Sequence, residues 1–195
     1  MRKIAVLFPG IGYTCDKPLL YYSGRLAKKA GYEVVPVPYG NFPDKVRGDR
    51  AKMQQSFDMA LAQAEEILAG VKWNEYDGVL FLSKSVGTIV SSAYAKNHGL
   101  KVKNVLFTPL KETWMFDSGE RIAFHGTADP WADNDEIAGE AEKHGTPLVT
   151  VEGANHSLET GDVIKDIEIL ENVMLKVKEF ADIQGESKEE YEYFT

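Results

Sequence analysis

Three short stretches of the chain carry residue types that together can do acyl-transfer chemistry. A serine stands between small residues in Ser83-Lys84-Ser85-Val86-Gly87, an aspartate in Gly126-Thr127-Ala128-Asp129-Pro130, and a histidine in Gly153-Ala154-Asn155-His156. A serine hydroxyl is a poor nucleophile until a base accepts its proton. The base in turn needs an acid that holds its tautomer and steadies the imidazolium. Here the three types follow one another in the order Ser, Asp, His. A fourth stretch, Pro9-Gly10-Ile11-Gly12-Tyr13-Thr14, offers small residues whose backbone N–H groups could face a developing oxyanion.

For these residues to meet, the chain must bring them to one edge, and its periodicity predicts that it does. Val79 to Leu82 reads as a short buried strand that breaks at Ser83 into a helix running to about Asn97, with Gly99 as its stop. A serine at the tip of a strand-turn-helix has a strained backbone and crowded flanks, and Ser83 and Gly87 are small enough for both sides. A polar turn whose serines merely cap a helix is the plainer account of the pentapeptide taken alone. Further strands are expected at Ile4 to Phe8, Glu33 to Val37, Asn104 to Phe107, Arg121 to His125 and Leu148 to Val151. Pro36 and Pro38 mark the second of these as an edge strand.

Between the strands fall helical patterns. One follows Asp16, a possible cap, and Pro18; its apolar face is Leu19, Tyr22, Leu26 and Ala30, and Gly31 ends it. Another runs from about Asp49 to Ala69 and a third from about Asn134 to His144. The last, from about Asp162 to Ile183, has the stripe Val163, Ile167, Leu170, Met174, Val177 and Ala181. Strand and helix alternate through six strands, which predicts a three-layer α/β/α sandwich with a mostly parallel six-stranded sheet. In such sheets ligands sit at the carboxyl ends of the strands, where every loop singled out above begins.

Composition narrows the classes further. The 195 residues suit one domain, read as residues 1–183, followed by an acidic C-terminal tail at 184–195. A net charge of −8 disfavours a nucleic-acid partner. No apolar run approaches the roughly 18 residues that span a bilayer, so a membrane partner is not expected. The start Met1-Arg2-Lys3 enters a strand at once and has no cleavage site, so no signal peptide is expected. With Cys15 as the single cysteine, an intrachain disulfide is impossible and a reducing cytoplasm fits.

The serine, aspartate and histidine turns together resemble those of the α/β-hydrolase superfamily, and the intervening strands and helices fall in that family's order over nearly the whole chain. The resemblance implies Ser85 as nucleophile, His156 as general base and acid, and Asp129 as orienting acid. It also implies an oxyanion hole made by the amide N–H groups of Val86 and of Ile11 or its neighbour Gly10. The sheet would be a shortened form of the family's, lacking its first antiparallel strands. Only residues 108–120 separate Phe107 from Arg121, where many relatives insert a helical cap, so no cap domain is expected. The open mouth could be walled by Tyr13, Trp114, Met115, Phe116 and Trp131, although ordinary packing accounts for such aromatics equally well. Three departures stand out: Ser83 replaces the usual glycine, Lys84 occupies a position usually aromatic, histidine or glutamine, and Phe8-Pro9-Gly10 replaces a histidine-glycine pair.

Rival assignments are weaker. His125 lies inside a strand, and His98 and His144 each precede a helix-stopping glycine. Asp129, Asp133 and Asp135 have the spacing of an oxygen-ligand loop without its glycine or closing glutamate, so no metal is expected and acids in a first helical turn are the simpler account. Gly10-Ile11-Gly12 could open a dinucleotide fingerprint, but Cys15 stands where its third glycine belongs. Cys15 is read as a filler thiol. The reading that results is a cofactor-free serine hydrolase acting on a small carboxylic ester or thioester. The alternatives are a non-catalytic protein of the same fold that binds a ligand or partner in the cleft, and a flavodoxin-like nucleotide or flavin binder. Oligomeric state is open.

Overall fold

The computed structural model describes residues 1–183. The acidic segment at 184–195, including Tyr191 and Phe194, lies outside the described residues. The elements follow in the order β1 (Lys3–Phe8), α1 (Pro18–Lys29), β2 (Tyr32–Pro36), α2 (Arg50–Leu68), β3 (Gly78–Lys84), α3 (Val86–Asn97), β4 (Lys103–Phe107), β5 (Glu120–Gly126), α4 (Asn134–Lys143), β6 (Leu148–Val151) and α5 (Val163–Phe180). Two short 3-10 turns, Trp73–Glu75 and Lys111–Met115, were not part of the sequence expectation.

The sheet has six strands in the order β2-β1-β3-β4-β5-β6, and every pairing is parallel. The proline-marked β2 is an edge strand, as its composition required. Chain order reverses between β1 and β3, which opens a crevice at their carboxyl ends. In-register pairs Phe8 with Ser83, and Lys84 with Phe107, bring the ends of β1, β3 and β4 to one level. Gly126 pairs with Val151 at the same edge.

Side-chain alternation sorts the core into two faces. Ala5 and Leu7 of β1, Leu80 and Leu82 of β3, and Phe107 and Phe124 pack with α1 and α5. Ile4, Val6, Phe8 and Phe81 point the other way, onto Ala60, Ala64 and Leu68 of α2 and Val90 and Tyr94 of α3. Leu106 and Ala123 continue that second face under Ile137 and Ala141 of α4. The result is the three-layer sandwich. Among the described residues no helix is long and apolar enough to cross a membrane.

Two helix faces differ from the periodic expectation. In α1 the buried residues are Leu19, Leu20, Ser23, Gly24 and Ala27, while Tyr22 is exposed. The helix comes so close to β1 that a Cβ at Gly24 would lie 3.1 Å from Leu7, so small residues face the sheet and the bulky tyrosine is turned outward. Asp16 does not cap α1: the N-cap is Lys17, which makes no side-chain capping bond, and Pro18 opens the first turn. In α5, Val173 and Val177 are buried and Val163 and Ile167 are exposed. The first turns of α5 stand off from the start of α1 and leave a groove of about 400 Å³ between Pro18, Leu19, Leu158 and Ile167.

Candidate active site

The tight turn between β3 and α3 is built by close approach. A Cβ at Gly87 would fall 2.2 Å from the Phe8 carbonyl oxygen and 2.5 Å from that of Pro9, so only glycine lets α3 start against the end of β1. The other flank, Ser83, is fully buried, and its hydroxyl donates to the Val105 carbonyl at 2.8 Å and to Asn104 Oδ1 at 3.1 Å. That gives a physical account of a serine in place of the usual glycine. At the tip, Ser85 has φ 55° and ψ −126°, a conformation that costs a non-glycine residue about 1–3 kcal/mol. It is held there because the Ser85 N–H donates to the Phe107 carbonyl at 3.0 Å, while its own carbonyl accepts from the Thr88 N–H at 2.8 Å and the Thr88 hydroxyl at 2.6 Å.

The aspartate and histidine turns are stitched to each other beside it. The Ala128 N–H donates to the Ala154 carbonyl at 2.9 Å, and the Gly153 N–H to Thr127 Oγ1 at 2.7 Å. A Cβ at Gly126 would meet the Ala154 carbonyl oxygen at 2.3 Å, so this contact too depends on a missing side chain. Within the histidine loop, Asn155 Oδ1 accepts from the N–H of Ser157 at 2.7 Å, and the Asn155 N–H donates to the Glu159 carbonyl at 2.8 Å. Thr108, at the end of β4, donates its hydroxyl to the His156 carbonyl at 3.1 Å.

These supports bring Ser85, His156 and Asp129 together. His156 Nε2 lies 2.8 Å from Ser85 Oγ, and His156 Nδ1 lies 2.7 Å from Asp129 Oδ2. The second Asp129 oxygen accepts from the Trp131 backbone N–H at 2.8 Å, and the carboxylate is shut off from solvent. Burial would raise its pKa, but the bond from His156 and that residue's charge, the Trp131 N–H and the charge of Lys84 outweigh it and hold the carboxyl below its ordinary value. Burial likewise depresses His156; the Asp129 bond opposes this and the Lys84 charge adds to it. A neutral imidazole with its Nδ1–H directed at a carboxylate and its Nε2 facing a serine hydroxyl is poised to accept that hydroxyl's proton.

Of the oxyanion candidates, Gly10 is excluded as a donor, because its N–H is already bonded to the Tyr13 carbonyl at 3.0 Å. Ile11 sits at the tip of that turn and, among the described residues, its N–H has no partner. Val86 is the first residue of α3, where the N–H has no carbonyl to bond within the helix. The Ile11 and Val86 side chains share one apolar cluster, and a Cβ at Gly10 would lie 3.0 Å from Ser85 Cβ, so the turn rests directly on the serine. The Tyr39 hydroxyl fastens the approach to this turn by donating to the Pro9 carbonyl at 2.6 Å.

The expected pocket residues divide. Trp131 lies at the mouth, its ring stacked on His156 at 5.4 Å, with the Arg47 guanidinium over the Trp131 ring at 5.7 Å from its centre. Trp114 is instead buried among Leu106, Ala123, Ile137 and Ala141, because the 3-10 turn that carries it tucks under α4. Tyr13 is also buried: its hydroxyl accepts from the Leu19 N–H at 3.0 Å, so its ring forms the floor under the turn rather than a wall of the mouth. The apolar wall is made by Ile11, Val86, Ile89, Leu110, Phe116 and Trp131. It continues into a groove of about 480 Å³ lined by Met53 and Phe57 of α2.

The remaining candidates have structural places. His125 is buried and bonded to Asn134 Oδ1 at 2.7 Å, and His98 and His144 are the C-caps of α3 and α4. Asp133 caps α4 through the Glu136 N–H at 3.0 Å. Burial pushes the Cys15 thiol up to about 11, which leaves it unreactive at neutral pH. Sequence reasoning missed Thr108, whose position at a strand end was the available signal, and Arg47, for which there was none.

No protein-family model and no curated protein sequence matches the chain. Solved structures do. An α/β serine hydrolase without lid from Xanthomonas campestris superposes with a TM-score of 0.63 at 16% identity, covering 94% of this chain and 84% of that one. An α/β serine hydrolase homologue from Coxiella burnetii gives 0.65 at 14% identity over 90% and 84%. A phospholipase/carboxylesterase from Dyadobacter fermentans gives 0.63 at 18% over 89% and 90%. At such identities the likeness is one of fold. Joined to the all-parallel sheet and to a β4–β5 connection that holds only a 3-10 turn, it identifies the architecture: the chain has the fold of the α/β-hydrolase superfamily, in a short form without a cap domain.

Proposed function

We propose that the protein is a serine hydrolase that cleaves a small carboxylic ester or thioester through an acyl-enzyme on Ser85. The observation that carries this reading is the unbroken relay from Ser85 Oγ to His156 Nε2 at 2.8 Å and from His156 Nδ1 to Asp129 Oδ2 at 2.7 Å, with the serine held on a strained turn. That hydrolases share the fold is supporting context.

In the reaction, Ser85 Oγ attacks the acyl carbon while its proton passes to His156 Nε2. Asp129 keeps the imidazole in the required tautomer and steadies the imidazolium. The carbonyl oxygen, now an anion, faces the N–H groups of Val86 and Ile11, a stabilisation worth about 3–4 kcal/mol per donor in comparable sites. Collapse of the intermediate expels the alkoxide or thiolate, which takes the proton from His156. A water molecule then repeats the sequence on the acyl-enzyme, leaving a carboxylic acid and free Ser85. No step requires a metal or organic cofactor.

The test is covalent labelling with a fluorophosphonate, located by intact mass and peptide mapping, on wild type, Ser85→Ala and His156→Ala. One adduct on Ser85, abolished by either substitution, is expected. Hydrolysis of a reactive phenyl ester by Ser85→Ala is expected to fall by about 10⁴–10⁶ with the fold intact. Absence of an adduct on folded wild-type protein would instead support a ligand-binding role for the cleft.

A further inference from the structure

The residue before the serine has no part in that mechanism, yet it is among the largest fully buried side chains of the molecule. Lys84 is 1% exposed. It follows Leu80 and Leu82 on the same face of β3, so its side chain enters the layer that contains Tyr13, Leu19 and Leu158. Its Nζ lies 5.0 Å from the centre of the Tyr13 ring. Tyr13 closes the turn that presents the Ile11 N–H, and Leu158 belongs to the loop that carries His156. The amine is therefore enclosed beneath both halves of the site.

We propose that Lys84 is a positioning residue of this site, whose buried amine under the Tyr13 turn and the His156 loop sets the pH range in which His156 can accept the Ser85 proton. The inference rests on the hydrolase reading given above. The charged groups around the amine are Asp129 after β5, and His156 and Glu159 after β6, with Tyr13 against it and His125 beyond His156. Burial drives the Lys84 pKa down to about 7, with Asp129 and Glu159 pulling against that fall. As pH drops through neutrality the amine gains its charge before His156 does. The new ammonium then opposes an imidazolium nearby, so His156 stays a competent base at lower pH than it otherwise would. The same charge helps to keep Asp129 ionised. A methionine would fill the space at no desolvation cost but could do neither.

Two readouts test this on wild type, Lys84→Met and Lys84→Arg: NMR titration of the His156 Cε1–H, and the pH profile of kcat/KM on p-nitrophenyl acetate. In Lys84→Met the His156 midpoint and the acid limb are expected to rise together by about 0.5–1 pH unit. Rates of the two proteins should converge above about pH 9, where the wild-type amine is neutral. Lys84→Arg, which keeps its charge, should retain the low acid limb. A His156 midpoint unmoved in folded Lys84→Met overturns the proposal. Direct titration of the Lys84 Cε beside the His156 Cε1–H in wild type covers the case of variants that do not fold, since an amine still neutral at the His156 midpoint also overturns it. The NMR readings need no turnover, so a failure of the hydrolase reading, seen as unlabelled Ser85, is distinguishable from a failure of this one.

Discussion

Ser85 pairs its chemistry with a backbone that only its surroundings can hold. Its φ of 55° and ψ of −126° lie where glycine is at ease and other residues are not. Ser85→Ala removes the hydroxyl but keeps the strain, whereas Ser85→Gly relieves it. In denaturant titrations Ser85→Gly is expected to be more stable than Ser85→Ala by about 1 kcal/mol, less than the full strain because glycine costs the unfolded chain more entropy on folding. Equal midpoints would mean that the turn is not strained. Activity should be lost in both, which separates the hydroxyl from the backbone as contributors.

At the scale of elements, the site depends on how closely β1 and α3 approach. Gly87→Ala would set a methyl group 2.2 Å from the Phe8 carbonyl oxygen, a backbone atom that cannot swing aside. The end of β1 must then move, and with it the turn that carries Ile11. We expect a loss of about 2–3 kcal/mol in unfolding free energy and a large drop in fluorophosphonate labelling even where the variant remains folded. A fully active Gly87→Ala would show that the Ile11 turn does not need this contact. The same closeness explains α1: its small residues meet the sheet because the helix lies near β1, and a periodic pattern of large apolar residues points to the wrong side.

For the whole molecule, the buried lysine, histidine and aspartate at the site all make stability fall as pH falls. Lys84 has a folded value of about 7, below its ordinary 10.5, so the unfolded chain binds the proton first and stability is lost as pH falls from about 10.5 to 7. His156, depressed below 6.5, continues the loss at lower pH, and Asp129, depressed below 3.8, extends it further. Tyr13 and Tyr39 are raised by burial, so above pH 10 the unfolded chain loses protons first and stability falls again. Together these groups place the maximum at about pH 9–10. Lys84→Met should be more stable than wild type near neutrality by several kcal/mol, on the order of 5 by linkage, and the gap should close by about pH 10.5. Chemical denaturation across that range checks it. A pH-independent difference would mean that the amine is not desolvated in the native state.

The sequence by itself determined the alternation of strands and helices, the edge position of β2 and the three turns that meet at the site. Apolar period, proline and glycine placement, and small residues flanking a serine are local properties, and they act through local sterics. Tertiary structure decided what depends on distances between segments far apart in the chain. It buried Trp114 under α4 and Tyr13 beneath the turn, and it used the Gly10 N–H within that turn, so that of the two only Ile11 has a donor without a partner among the described residues. It brought Thr108 to the His156 carbonyl. Above all it enclosed Lys84. In the sequence Lys84 is only a departure from the residue types usual before the serine, and it is the fold that buries its side chain, with the Tyr13 ring 5.0 Å from the amine. Desolvation is a property of all the neighbours at once, and no stretch of sequence contains it.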